Sequence, residues 1–206
     1  MLNRQDEINI IKNAKTAKLN VNNIMESKFK KIDGKTIDNV AEYIKSYFKM
    51  KKEINEGDEF EIFIGTDSQR VRHGKLTLYA TVICLYTVGK GAHVIYTRVK
   101  RDDIFSNNKE IDKSKKTKKI NDSLFNRLWW EVEYTIQVAN YLKNEGVLID
   151  NNVTQLHLDI SANSENKSNI VYKSAIGYIE SMGYNVRTKP FSPASSYAAD
   201  MVVRGL

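Results

Sequence analysis

At EFEIFIGTD, residues 59–67, the pattern of the chain turns from helical to strand-like. This stretch is short, rich in isoleucine and phenylalanine, and ends on Gly65-Thr66-Asp67, which fits a strand with a carboxylate at its C-terminal end. Downstream, residues 75–88 carry Leu76, Leu78, Val82 and Leu85 in a longer strand pattern. Gly89-Lys90-Gly91 supplies a turn, and residues 92–99 read as a third strand. Such short connections predict an antiparallel meander. Residues 100–121 are polar and contain the basic run KSKKTKK at 113–119. The expectation is a mobile loop; a basic loop beside a site can also hold phosphates.

Residues 122–144 give the strongest helical pattern. Leu124, Leu128, Val132 and Ile136 form one stripe, widened by Trp129, Ala139 and Leu142, with Gly146 as the stop. Residues 154–160, TQLHLDI, read as a strand, residues 163–181 as a helix and residues 184–189 as a short strand. Ser192-Pro193 then opens a last helix, serine as cap and proline at its first position. Three meandering strands followed by alternating helices and strands imply an α/β fold, a mixed sheet with helices on its faces.

Upstream of this stretch, Ile37, Val40, Ile44 and Phe48 recur at helical spacing. Asp33-Gly34 and Gly57-Asp58 mark turns on either side. The expected organisation is a helical N-terminal extension over 1–57 and the main domain over 58–206. With 206 residues and 41% hydrophobic residues, the chain can bury a real core. Lys and Arg total 32 against 25 Asp and Glu, a formal charge of +7 that favours a polyanionic partner such as nucleic acid. The alternative is a charge that serves solubility alone. One cysteine, Cys84, excludes an intrachain disulfide and a cysteine zinc cluster, and its apolar run suggests a buried thiol. No stretch is apolar over the ~20 residues of a membrane span, and no signal-peptide core of ~7–15 apolar residues opens the chain. The expected location is cytoplasmic.

The acidic residues fall at telling places. Asp67 and Asp159 sit at or near the ends of two strands, where open α/β sheets form their ligand sites. Asp159 lies within the apolar run LHLDI, where a carboxylate is costly unless paired or metal-bound. Glu131 lies beside the helical stripe at Val132, with Glu133 as the competing candidate. Asp200 stands among alanines and valines in AADMVV; the alternative reading pairs it with Arg204 one helical turn on. Crowded carboxylates repel, and a hard divalent ion relieves that. Lys167 and Ser168 near the opening of a helix form a candidate anion site. His157 reads as a structural neighbour of Asp159, His73 as a turn residue and His93 as structural or surface. Ser195 and Ser196 lack an obvious histidine partner, so serine hydrolysis is disfavoured.

The segments IGTDSQ at 64–69, RLWWEV at 127–132 and HLDI at 157–160 resemble the YkuK-type ribonuclease H-like family. So does the tail from Gly183-Tyr184 through Lys189-Pro190 to Ala199-Asp200. The resemblance spans about residue 59 to the C-terminus. It implies a ribonuclease H-like mixed sheet with an acidic set whose four positions match Asp67, Glu131, Asp159 and Asp200. Trp130 puts a bulky ring directly beside the helix acid. The expected function is a metal-dependent nuclease. The four acids would hold Mg²⁺ or Mn²⁺, two ions in all, and water would attack the phosphodiester. Lys115, Lys116, Lys118, Lys119 and Lys167 would bind the backbone of RNA, DNA or a hybrid. The alternative is a non-catalytic nucleic-acid-binding module on the same fold.

Overall fold

The structure is a computed structural model. It describes residues 23–71, 76–102, 113–148 and 153–205; at 102, 113–123 and 153 it describes the backbone. The expected turn around His73 and the stretch 103–112 lie outside the described residues.

Three long strands form the centre: β3 (Phe60–Val71), β4 (Leu76–Thr87) and β5 (Gly91–Asp102). They pair antiparallel in sequence order, as the meander predicts. Strand β6 (Val153–Leu158) lies parallel to β3, and β7 (Asn185–Thr188) parallel to β6. Two short strands, β1 (Phe29–Lys31) and β2 (Thr36–Ile37), extend the other edge through β5. The seven-stranded mixed order is β2-β1-β5-β4-β3-β6-β7.

The helices are α1 (Val40–Ile54), α2 (Lys113–Asn144) and α3 (Tyr172–Ser181). A π-helical segment (Ala194–Ala199) runs into α4 (Asp200–Arg204). Alternation along the strands divides the core between the two sheet faces. Ile62, Ile64, Ile83 and Leu85 pack with Ile44, Val132, Ile136 and Ile179 of α1, α2 and α3. Ala80, Val82 and Cys84 pack with Ala194, Ala199, Val202 and Val203 on the other face. Burial of the Cys84 thiol pushes its pKa up to about 12, as suits an inert core cysteine.

The structure corrects several expectations. The N-terminal stretch is not helical throughout. Its described part holds the β1–β2 pair and α1, and Phe29, Ile37 and Ile44 are buried in the same core as the sheet. Strand β3 does not stop at Asp67; antiparallel pairing with β4 carries it on to Val71↔Leu76. The run at 113–119 is the opening of α2, not a loop. Residues 163–181 divide into turns, a 3-10 turn (Lys167–Val171) and α3. Ser192 does not cap the last helix through its side chain; its hydroxyl lies 3.1 Å from that of Ser196.

Candidate active site

Strand β6 ends where its parallel pairing with β3 ends, at Thr66↔Leu158. Asp67 and Asp159 are the next residue on each chain. The site therefore forms where parallel neighbours part, although β3 itself continues. Gly65 makes room for the third contributor. A side-chain carbon there would stand 2.7 Å from the Ser195 nitrogen and 3.0 Å from the Ala194 carbonyl carbon. Only a glycine lets the π segment lie flush on β3.

His157 fastens the same segment. It is buried and stacks on Phe63 at 4.7 Å between ring centres, and its Nδ1 accepts the Ala194 N–H at 3.1 Å. Burial, aided by Arg187, lowers its pKa to about 4, so the ring is neutral and free to accept. It is a structural neighbour of the site, as the sequence suggested.

The result is a cleft of about 390 Å³ lined by Asp67, Asp159 and Asp200 together with Lys189, Ser196, Tyr197 and Arg204. The Ser196 hydroxyl donates to Asp159 Oδ1 at 2.6 Å, and Lys189 Nζ lies 2.8 Å from Asp159 Oδ2. Arg204 Nε donates to Asp200 Oδ1 at 2.6 Å, so the anticipated helical pair exists within the cleft wall. The Asp67 pKa is raised to about 6: burial is the main cause, the Ser68 amide and Arg127 oppose it, and the charges of Asp159 and Asp200 add to it. The three acids are thus close enough to repel. Among the described residues, no group of three or more His, Cys, Asp or Glu side chains stands close enough to hold a metal ion as arranged.

Glu131 is placed differently. Even residues of β3 face α2: Thr66 lies in hydrogen-bond range of Thr135 at 2.9 Å, and Ser68 donates to Glu131 Oε1 at 2.5 Å. Asp67 points to the opposite face. Arg127, one helical turn before Glu131, reaches Glu131 Oε1 at 3.3 Å and donates to the Ser68 hydroxyl at 2.7 Å and carbonyl at 3.0 Å. Burial drives the Glu131 pKa up to about 8, with Asp67 and Asp159 adding to the rise and Arg127 and Ser68 opposing it. Glu133 turns away and accepts from Trp129 Nε1 at 3.1 Å. Trp130 lies under the Arg101 guanidinium, 3.5 Å from the ring centre, and leaves Glu131 facing β3.

Other sequence candidates lie elsewhere. His93 sits 2.8 Å from the Tyr43 hydroxyl and stacks on Tyr47, a packing role. Lys167 is exposed, and it opens a five-residue 3-10 helix that runs into α3, as the sequence suggested. The side chains of Lys115, Lys116, Lys118 and Lys119 lie outside the described residues. Sequence reasoning missed Ser68, Arg127, Lys189 and Ser196. The spacing of Arg127 and Glu131, four apart on a helix, was a readable signal for one of them.

Among the described residues, no helix is long and apolar enough to cross a membrane. No curated protein and no solved structure matches the chain significantly. A family model described as ribonuclease H-like matches residues 39–113 and 111–204, which takes in α1 and every strand and helix that builds the cleft. The chain belongs to the ribonuclease H-like family.

Proposed function

We propose that the chain is a metal-dependent nuclease, of the YkuK type within its family, with the cleft as its catalytic centre. One observation carries this reading: carboxylates from three separate elements, Asp67 of β3, Asp159 after β6 and Asp200 of α4, line one cleft. Family membership links such a fold to work on nucleic acid, and the +7 charge suits a polyanionic partner.

The donor set fits a hard cation. All three acids offer oxygen, as Mg²⁺ and Mn²⁺ prefer, and a cation would relieve the repulsion that adds to the effect of burial on Asp67. In this reading Asp67 and Asp159 are the central ligands and Asp200 adds to them. Glu131, held by Ser68 and Arg127 on the other face of β3, would have to leave those partners to join them. Bound ions of this kind supply an activated water and stabilise the leaving oxygen of a phosphodiester. The chain's own residues do the rest. Ser196 orients Asp159 through its hydroxyl. Lys189 and Arg204, which neutralise Asp159 and Asp200 as arranged, are placed to take phosphate oxygens. The basic opening of α2, with Lys115, Lys116, Lys118 and Lys119, and the exposed Lys167 would hold the flanking backbone.

The same two ion pairs favour the second reading, a module that binds nucleic acid without cutting it. Two of the three cleft acids, Asp159 and Asp200, have a cation beside them that offsets their repulsion of a polyanion. A cleavage assay separates the two. Labelled RNA, single- and double-stranded DNA and RNA–DNA hybrid are incubated with Mg²⁺, Mn²⁺ or EDTA. Metal-dependent cutting is expected, falling about a hundredfold or more in Asp67→Asn and Asp159→Asn. Salt-sensitive binding with no cutting supports the binding module. Cutting that survives both substitutions contradicts the placement of the site.

A further inference from the structure

Eight large hydrophobic side chains are exposed among the described residues, and three of them, Phe191, Tyr197 and Met201, fall within eleven residues of the chain. The two aromatics are the most open of these three, Phe191 at 73% and Tyr197 at 71%. Neither ring pairs with another aromatic among the described residues. Both belong to the cleft's surroundings. Tyr197 is part of its wall, between Ser196 and Asp200 in the chain, and Phe191 follows directly on the wall residues Lys189 and Pro190. Holding apolar rings in water is unfavourable and contributes nothing to this core. Cations stand in the same wall: Lys189 and Arg204.

Aromatic faces interleaved with cations are the means by which proteins hold unpaired strands. Bases stack on the rings while phosphates meet the charges. A duplex offers its phosphates and groove edges but keeps its base faces stacked inside, so it can use the cations and not the rings. We infer that the substrate is single-stranded nucleic acid, with bases flanking the attacked phosphate stacked on Phe191 and Tyr197. This inference rests on the nuclease reading of the cleft and names its substrate class.

The test is fluorescence anisotropy of the full chain, in EDTA and again with Ca²⁺, against labelled single-stranded RNA, single-stranded DNA, the same sequences as duplexes, and an abasic strand with the same phosphates. Single strands are expected to bind more tightly than duplex or abasic strand, and the RNA and DNA arms show which sugar is preferred. Phe191→Ala and Tyr197→Ala should each weaken single-strand binding by about tenfold, with little effect on the abasic strand. Tyr197→Phe, which keeps the ring, should bind as wild type. Both aromatics are surface residues, and circular dichroism checks that the variants fold. Alanine variants that bind single strands within twofold of wild type overturn the inference. So does a loss of equal size on the abasic strand. In either case metal-dependent cutting by the same preparation leaves the nuclease reading standing. Wild-type protein that binds none of the strands overturns both, and leaves the aromatic patch to a protein partner.

Discussion

Asp67 and Ser68 are neighbours in the chain and face opposite sides of β3. That single alternation explains why three acids share a cleft while Glu131 lies across the strand with Arg127 and Ser68. It also shows what one residue of register decides: the same segment shifted by one would turn Asp67 into the α2 face. Most of this was legible in the sequence. Asp159 and Asp200 could be picked out because a carboxylate inside LHLDI or AADMVV needs a reason. The side on which Glu131 emerges was not legible. A helix turns by about 100° per residue, and no stripe says which way it docks. His157 gives a prediction at this scale. Its folded pKa of about 4 lies below the usual 6.5 of an imidazole. The unfolded chain therefore binds the proton first. Stability is full above pH 6.5 and falls as pH drops toward 4, by up to about 3 kcal/mol. His157→Asn keeps an acceptor near Nδ1 and cannot titrate, so its stability should fall less over that window. Thermal melts of both proteins from pH 7 to 4 check this; parallel curves would contradict it.

At the scale of elements, the site depends on how closely the π segment lies on β3. Gly65 permits it and His157 pins it. A π turn adds a residue relative to an α turn and is often found at functional positions. Here Ser196 and Asp200, four residues apart, share one cleft wall. Gly65→Ala should cost about 1–3 kcal/mol, because the methyl would meet backbone, which has no rotamer to retreat into. It should also shift Ser196 away from Asp159 and lower activity. Urea denaturation and a cleavage assay measure the two effects; an unchanged midpoint would show that the segment is not held as described. The meander, β6 and the main part of α2 followed from apolar patterning. The β1–β2 pair did not, because strands of two and three residues are shorter than any window in which a period can be read. The opening of α2 was missed because its lysines carry no apolar stripe. The Ser196–Asp159 hydrogen bond joins residues 37 apart, and only the fold brings them together.

Across the whole molecule, charge is divided by role. Three acids line one cleft, while the chain as a whole carries a net +7. On the proposed reading a polyanion would be drawn to the protein broadly and admitted to the cleft only where a cation offsets the acids. Replacing Lys115, Lys116, Lys118 and Lys119 together by alanine should weaken nucleic-acid binding for all sequences alike. It should also flatten the dependence of binding on salt, by about 0.7 in logarithmic slope for each single-strand phosphate that a lysine no longer neutralises. An unchanged slope would show that the opening of α2 does not touch the backbone.

On the proposed reading the cleft carboxylates gather a divalent cation. Mn²⁺ titration followed by electron paramagnetic resonance tests this without relying on turnover. Wild type and Glu133→Gln are expected to bind Mn²⁺ alike, and Asp67→Asn and Asp159→Asn to bind it no longer. Mn²⁺ binding that persists undiminished in Asp67→Asn would contradict that reading.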